Sequence, residues 1–416
     1  MPGKDKITLY LNAVIEASAL ITLFCLPFSK SIVEIFVTLA IAAFLIKKFF
    51  IEKSLKVSVS KGVLAGFIFF TVFSIVSMAN SQYFSLSIRA IFSKVFEWVL
   101  LFLAVSDTVH SPKQAKRFFM TMLFSAGLIL ADAAYQHYVS GFDFLHYPEP
   151  YPEFKFAGVR QEGVTTFPTA SFPFPNDFAA WIIVFLPAFF TAAFLNLRNE
   201  AKKRAVTFIL TAFLAFFLFL TTSRAAIAGA VVAVSPLILI KMKKLILPLG
   251  AAFVLALIVI SFVPGLKIYA TDPINPGGLK ASMADRFGMW STGWRIFMRH
   301  PFTGNGVNTF FENFKNYRTD GHRHKSGSYA HNCYLQMASD IGIFGLLSFL
   351  FAVGLCLYKN IKRALVDPRA FPNSLVLGLS LGVIAFLIHS FFDTNLYSLN
   401  LSALFWLSLG FIEGIS

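Results

Sequence analysis

The stretch "FAAWIIVFLPAFFTAAFLN", residues 178–196, contains no charged side chain and, as a helix, is long enough to cross the hydrocarbon core of a membrane. Similar uncharged windows recur along the 416-residue chain, which is 56% hydrophobic. Only 14% of the residues are charged, where a soluble domain carries about a quarter. The apolar runs are continuous rather than alternating, which is typical of transmembrane helices and unlike barrel strands. The sequence therefore predicts an all-α, polytopic membrane protein.

These apolar runs predict about twelve transmembrane helices within one integral membrane domain, residues 1–416. The first run is interpreted as an uncleaved helix, because further spans follow it at once. An even number of spans puts both chain termini on the same side of the membrane. The predicted spans are residues 9–27, 32–46, 62–79, 87–105, 118–136, 178–196, 205–221, 225–240, 244–263, 332–357, 373–390 and 397–413.

The distribution of basic residues predicts the orientation of these spans. The loops on one side hold more than half of the 36 Lys and Arg residues, whereas the short loops on the other side hold only Lys30, Arg89 and Arg224. Because cytoplasmic loops carry an excess of Lys and Arg, both termini are predicted to be cytoplasmic. The net charge of +15 is explained in this way, and no nucleic-acid partner is expected.

Two longer loops, residues 137–177 and 264–331, are then predicted to face outward. Within the second loop, residues 281–299 carry apolar side chains at helical spacing, with Arg286 and Arg295 beside them. This pattern predicts an amphipathic helix that lies on or in the outer membrane interface, in contact with membrane lipids. Its apolar residues are Met283, Phe287, Trp290, Trp294 and Phe297.

Several arginines are predicted to reach this outer face. Arg224 follows "TTS" at the outer end of a span, Arg160 lies in "GVRQEG", and Arg286 lies in "DRFGMW". A guanidinium group matches phosphate oxygens in a planar fork, so converging arginines indicate an anionic ligand, and a pyrophosphate would fit. Taken alone, Arg286 and Arg295 fit the solvated or headgroup-facing side of an interfacial helix better than a binding site. Arg224 is harder to explain without a partner or a cavity, because a charge beside two spans is costly.

A histidine occupies the predicted start of the tenth span, in "SYAHNCYLQ", residues 328–336. Because an imidazole titrates near neutral pH, His331 is a candidate general base, although a helix cap or an interfacial histidine would have the same position. Asn332 is a preferred N-cap residue and a candidate supporting residue. Asp393, in "HSFFDTNLY" at the outer turn between the last two spans, either orients His331 or is an ordinary turn aspartate.

Other polar features of the sequence point to no cofactor. His322 and His324 in "GHRHKSG" have no carboxylate or cysteine partner close by, so a basic loop is favoured over a metal site. The three cysteines lack metal-ligand spacing, and "GNG", residues 304–306, is interpreted as a turn rather than a phosphate cradle. Neither a metal nor a nucleotide is therefore expected. Four charges within predicted spans have no assigned role: Glu16, Asp132, and Lys94 with Glu97, which lie one helical turn apart and are expected to pair.

Three motifs, in this order, resemble the O-antigen ligase family of bacterial inner-membrane glycosyltransferases. They are "TTSRAA" (221–226), "DRFGMWSTGWRIFMRHPFTGNGVNTF" (285–310) and "AHNCYLQMASDIGIFGL" (330–346). The stretch "TFPTASFPFPNDFAAW" (166–181), with its Pro-Asn ahead of a span, is also similar. The resemblance extends over essentially the whole chain, including the twelve-span topology. It implies a GT-C-like fold in the bacterial inner membrane, with an active site that faces the periplasm.

This resemblance also implies an activity and roles for individual residues. The donor would be a glycan on undecaprenyl pyrophosphate and the acceptor a sugar hydroxyl of lipid A–core, with no metal or nucleotide required. By motif, Arg224 and Arg286 would bind the donor pyrophosphate, and His331 would be the catalytic histidine. The looser matches are Arg160, Arg295 and Asp393.

Three alternative functions remain open. O-antigen polymerases and protein O-oligosaccharyltransferases belong to the same superfamily, use the same donor, and are poorly separated by these motifs. A transporter is the alternative from a different class. It predicts inverted repeats and polar residues near the middle of the membrane, whereas the candidate residues here cluster at the outer face.

Overall fold

The computed structural model describes residues 2–145, 168–196, 200–241, 243–245, 247, 278–318 and 327–415. Every regular element in these ranges is helical. The α-helices are α1 (Pro2–Cys25), α2 (Lys30–Ile46), α3 (Lys61–Ser77), α4 (Phe84–Ala90), α5 (Glu97–Ser106), α6 (Pro112–Tyr135), α7 (Pro175–Thr191), α8 (Ala201–Leu220), α9 (Arg224–Lys241), α10 (Gly278–Arg299), α11 (Phe310–Tyr317), α12 (Cys333–Ala364), α13 (Phe371–His389) and α14 (Leu399–Ile415).

Eleven of the twelve predicted spans coincide with helices of the structure. The fourth span coincides with α4 and α5, which a π-helical stretch over Ile91–Phe96 joins without a break. The ninth, 244–263, lies almost wholly outside the described residues. Among the described residues, seven helices are long and apolar enough to cross a membrane, and α9 and α14 are shorter apolar helices. The predicted class, an all-α polytopic membrane protein, is confirmed.

The helix of the opening stretch, α7, is the most deeply buried of these candidate spans. Of its 18 most apolar consecutive residues, 83% are buried inside the protein. It packs against α13, which in turn packs against α9. Gly382 permits the first approach, because a Cβ atom there would lie 2.4 Å from the carbonyl oxygen of Val184. Gly229 permits the second, because its Cβ atom would lie 2.7 Å from the carbonyl oxygen of Ala385. Small residues let helices pack this closely, so α13 is held between α7 and α9.

Two carboxylates within predicted spans have structural partners. Asp132 accepts hydrogen bonds from the N–H of Phe144 at 2.6 Å and from Ser171 Oγ at 2.7 Å, so it ties together the two described ends of the loop 137–177. Glu16 of α1 accepts a bidentate pair from Arg117 of α6, with N–O distances of 2.6 and 2.8 Å. Both carboxylates therefore join elements that are distant in sequence.

Lys94 lies in the π-helical stretch between α4 and α5. Its ammonium group donates to the carbonyl oxygen of Tyr397 at 3.3 Å and interacts electrostatically with Glu97. The lysine therefore connects this helix to the segment just before α14, and its expected pairing with Glu97 is an electrostatic interaction without a direct ion-pair contact.

The helix α12 contains a break that the sequence does not predict. The backbone of Gly342 has φ 75° and ψ 173°, which separates a short N-terminal segment from the long span. The turn that follows α10 fills the break: the N–H groups of Asn305 and Gly306 donate to the carbonyl oxygens of Ser339 and Asp340, at 3.0 and 2.9 Å. A broken helix leaves such carbonyl groups without partners, so the turn satisfies them.

The side chain of Asp340 completes this junction. Its carboxylate is 2% exposed and accepts hydrogen bonds from the N–H groups of Asn308 and Phe310, both at 3.1 Å. The "GNG" motif is therefore a turn, as predicted, and it fixes α10 and α11 to the N-terminal segment of α12.

Candidate functional site

His331 immediately precedes the N-cap of α12. Asn332 is that N-cap: its Oδ1 atom accepts hydrogen bonds from the N–H groups of Tyr334 and Leu335, both at 3.0 Å. His331 itself has φ 46°, in the left-handed region that residues with a side chain rarely adopt. Backbone strain of this kind is frequently found at functional sites. The capping role predicted for this position therefore belongs to Asn332, which leaves the imidazole ring of His331 free to make a side-chain contact.

That contact is with Asp393. His331 Nδ1 lies 3.4 Å from Asp393 Oδ1, and the two side chains are 41% and 13% exposed. Burial by itself raises the pKa of a carboxyl group, but the hydrogen bond and the charge of His331 outweigh it and lower the pKa of Asp393 to about 2. The carboxylate is therefore ionised at neutral pH. It contacts Nδ1 and not Nε2.

The turn that carries Asp393 is fixed directly to the start of α12. The N–H of Cys333 donates to the carbonyl oxygen of Ser390 at 2.8 Å, and its Sγ atom lies 3.2 Å from the carbonyl oxygen of Asp393. Tyr334 Oη donates to the carbonyl oxygen of Leu387 at 2.6 Å. These bonds join residues that are distant in sequence, so the His331–Asp393 pair has a rigid support.

Helix α10 brings Arg286 to the same place. Trp290, one turn after Arg286, packs edge-on against Phe391 and at a tilt against Phe392, with ring centroids 5.6 and 6.2 Å apart. Farther along, Ser339 Oγ of α12 donates to the carbonyl oxygen of Gly293 at 3.0 Å. Arg286 is half-buried on this packed side of the helix. The predicted amphipathic helix is present. One side of it packs on α12, and Phe287, Trp294 and Met298 are exposed.

Arg224 is the first residue of α9 and is exposed. The turn before it is strained: Thr222 has φ 55°, again in the left-handed region. Ser223, which precedes the arginine, is 5% exposed, and its Oγ atom lies 3.3 Å from His389 Nε2. The "TTSR" turn therefore contacts the end of α13, four residues before Asp393.

The sequence prediction missed His389 and Asn395, although both lie within the quoted "HSFFDTNLY" motif, residues 389–397. His389 is 1% exposed, and its Nδ1 atom lies 2.8 Å from Asn395 Nδ2. The ring also interacts electrostatically with Asp393 and Arg286. A histidine at the C-terminal end of an apolar span was the available signal in the sequence, because polar groups in spans are retained mainly where they have a role.

The residue that follows the Pro-Asn motif, Asp177, also lies near this site. Asp177 lies in the first turn of α7, and its carboxyl group interacts electrostatically with Asp393 and Lys30. The motif "TFPTASFPFPNDFAAW" is therefore close to the other two motifs in space, which its position in the sequence does not reveal.

The structure does not assemble every predicted site residue. Arg295 is exposed and lies nine residues after Arg286, which is half a turn around a helix of 3.6 residues per turn, so the two arginines point in opposite directions. Its role stays a prediction. Arg160, His322 and His324 lie outside the described residues. Within the part of the chain that the structure describes, no group of His, Cys, Asp and Glu side chains could hold a metal ion.

A family model described as O-antigen ligase matches residues 207–350, about a third of the chain. The predicted resemblance to this family is thereby confirmed. The matched segment includes Arg224, Arg286 and His331, whereas His389 and Asp393 lie beyond its end. No curated protein matches the chain.

Proposed function

Because residues 207–350 match the O-antigen ligase family, whose function is glycosyl transfer of the ligase or polymerase type, we propose that this chain is an O-antigen ligase. It transfers a glycan from undecaprenyl pyrophosphate to a sugar hydroxyl of lipid A–core. The reaction takes place at the periplasmic face of the bacterial inner membrane, with both termini in the cytoplasm. No metal, nucleotide or other cofactor takes part.

The observation that carries this proposal is the His331–Asp393 pair. The carboxylate contacts Nδ1 and is ionised at neutral pH, so a proton on that nitrogen is favoured and Nε2 is left as the basic atom. A general base requires a basic atom that the substrate can reach, and the ring is 41% exposed. In many acid–base sites a third group orients the histidine in the same way, through a hydrogen bond to the ring nitrogen that does not react.

The proposed reaction is a direct displacement at the anomeric carbon. The acceptor hydroxyl oxygen forms the new bond to this carbon, and its proton passes to Nε2 of His331. The bond between the anomeric carbon and the phosphate oxygen breaks, and its electron pair remains on the departing pyrophosphate. The imidazolium that forms is stabilised by the carboxylate of Asp393. Energy comes from the activated glycosyl–phosphate bond, so the step requires no further co-reactant.

Arg224 and Arg286 stabilise the charge that develops on the leaving group. Arg286 is held beside His389 by the packing of α10 on the turn before α14, and Arg224 follows Ser223, which contacts the same histidine. Arg224 is also at the N-terminus of α9, where unpaired backbone N–H groups favour an anion. Fixed positive groups aimed at a developing negative charge are among the largest contributions to catalysis.

The identity of the acceptor is tested by reconstitution. The purified protein in liposomes is supplied with a glycan on undecaprenyl pyrophosphate and, in separate reactions, with lipid A–core, a second lipid-linked glycan, or a pilin. We expect only lipid A–core to gain the glycan. Transfer to the lipid-linked glycan would identify a polymerase, and transfer to pilin a protein O-oligosaccharyltransferase. Movement of intact donor across the bilayer without transfer would identify a transporter.

A further inference from the structure

His389 is a buried polar residue for which the proposed reaction has no direct use. It is the last residue of α13, 1% exposed, and both of its ring nitrogens have a polar neighbour. Ser223 Oγ lies 3.3 Å from Nε2, and Asn395 Nδ2 lies 2.8 Å from Nδ1. A buried polar group is costly unless it is hydrogen-bonded, so this pair of contacts accounts for how the ring is accommodated.

The two contacts lead to two different parts of the candidate site. Ser223 immediately precedes Arg224 at the start of α9, so the Nε2 contact holds the turn of a proposed pyrophosphate-binding arginine. Asn395 lies two residues after Asp393, so the Nδ1 contact holds the turn that orients His331. The ring is thus a single bridge between the donor-binding turn and the acid–base pair.

The hydrogen-bonding pattern favours a neutral ring. An amide Nδ2 of Asn395 donates to Nδ1, so Nδ1 carries no proton and the ring proton lies on Nε2, which donates to Ser223 Oγ. The charged groups that face the ring are of opposite sign: Asp393 on the turn before α14 and Arg286 on α10. The bridge therefore consists of one hydrogen bond that an uncharged imidazole accepts at Nδ1 and one that it donates from Nε2.

Asn395 supports this interpretation. Its side chain is 2% exposed, and its Oδ1 atom is buried without a hydrogen-bond partner in the part of the chain that the structure describes. An unpaired buried amide oxygen is unfavourable for the fold. The side chain of Asn395 therefore has the ring of His389 as its hydrogen-bond partner.

We infer that His389 is a positioning residue that fixes the distance between the turn of Arg224 and the His331–Asp393 pair. The inference rests on the proposed glycosyl transfer. The anomeric carbon of the donor and the acceptor hydroxyl oxygen must lie about 3–3.5 Å apart, and small displacements of the bound pyrophosphate or of the base reduce the rate strongly. A neutral bridge that contacts neither substrate maintains this geometry through Ser223 and Asn395.

The test is a double-mutant cycle on the two ends of the bridge. Ser223→Ala and Asn395→Ala each remove one hydrogen bond, and the two side chains contact different ring nitrogens. Because breaking either end disconnects the turns, we expect each variant to lower kcat by about tenfold or more, and the double variant to be no slower than the slower single variant. Multiplication of the two effects would overturn the inference, as would single variants with unchanged kcat.

A second comparison keeps the test independent of folding. His389→Gln retains a donor close to the position of Nε2, so it should recover part of the rate that His389→Phe loses, at similar thermal stability. His110→Gln is the matched control: its Nδ1 atom lies 3.0 Å from the carbonyl oxygen of Gly414, at the other end of the helices, and its kcat should be unchanged. Equal losses in the Gln and Phe variants would show a purely structural role.

Failure of the inference and failure of the proposed function are distinguishable. The cycle is measured with whichever acceptor the wild-type protein glycosylates, so it does not depend on lipid A–core. A wild-type protein that is inactive toward every acceptor contradicts the proposed function. An active wild-type protein whose two end variants multiply contradicts the role of His389 alone.

Discussion

His331 combines three features that an ordinary helix-end histidine does not require. Its backbone is in the left-handed region, its Nδ1 atom contacts a carboxylate, and the capping role is taken by its neighbour Asn332. The sequence left the cap and the general base as alternatives for one position. The structure assigns the cap to Asn332, and the general base at His331 stays a proposal.

Replacing the proposed base tests this role. We expect His331→Ala to lower kcat for glycan transfer by about 10²–10⁴-fold, the usual contribution of general acid–base catalysis.

Arg224→Ala should reduce kcat/KM for the lipid-pyrophosphate donor, because it removes a charge aimed at the leaving group. Both are measured in liposomes with purified protein. His300→Ala and Arg299→Ala, in the same outer region near the end of α10, are matched controls that should keep full activity. Full activity of the His331 and Arg224 variants would contradict the assignment.

The pKa of Asp393 predicts a pH dependence of stability. Its pKa in the folded protein is about 2, below the ordinary value of 3.8, so its ionisation stabilises the fold above pH 4. This stabilisation is on the order of 2 kcal/mol and is lost as the pH falls from about 4 to about 2. Asn cannot ionise. The difference in thermal stability between wild type and Asp393→Asn, in detergent, should therefore be larger at pH 6 than at pH 2.5. A difference that is the same at both pH values would contradict this.

At the scale of elements, the break in α12 decides how the site is built. The sequence predicts one span over 332–357, because hydrophobicity does not register a change in backbone direction. In the structure, the break at Gly342 leaves carbonyl groups of α12 without helical partners, and N–H groups of the turn after α10 donate hydrogen bonds to them. That junction fixes the position of α10, and therefore of Arg286.

Gly342 is expected to be intolerant of any side chain. A Cβ atom there would lie 2.3 Å from the carbonyl oxygen of Phe302, and the positive φ adds strain of about 1–3 kcal/mol for a residue with a side chain. Gly342→Ala should lower the unfolding temperature in detergent. Gly354→Ala is the matched control in the same helix, since nothing lies within 4 Å of its Cβ position, and it should be neutral or stabilising. Equal stability of the two variants would contradict the explanation of the break.

At the scale of the whole molecule, the end opposite the candidate site is held by buried charges. Asp107, after α5, lies 2.9 Å from Lys47 Nζ and 2.7 Å from Lys48 Nζ, and all three residues are less than 9% exposed. Lys47 also donates to Asn12 of α1 at 2.8 Å. The lysines that the positive-inside pattern assigned to a cytoplasmic loop are thus internal, because they join α1, α2 and the end of α5.

Removing the shared carboxylate should be costly. Asp107→Ala leaves two buried ammonium groups without it, so we expect destabilisation of about 3–5 kcal/mol, measured by thermal or denaturant unfolding in detergent. Glu200→Ala is the control, because its ion pair with Lys203 is exposed and such pairs contribute about 1 kcal/mol or less. Comparable losses in the two variants would mean that burial of the Asp107 pairs is unimportant.

The helical spans were predictable because hydrophobicity and length are properties of each segment alone, and eleven of the twelve predicted spans coincide with helices. His331, Arg224 and Arg286 were identifiable as candidates for a similar reason, since each lies in a short local motif. The roles of Asp132 and Lys94 were not, because their partners lie at Ser171 and Tyr397, in other segments.

The class of the protein, the order of its apolar helices and the motifs at its predicted outer face could all be read from the sequence. Which polar residues meet depends on the packing of the helices. His331 pairs with Asp393 across the junction of α12 with the turn after α13, and His389 contacts Ser223, 166 positions away in the chain. The physical reason is that a helix forms from its own residues, whereas a contact between helix ends depends on how all the intervening helices pack.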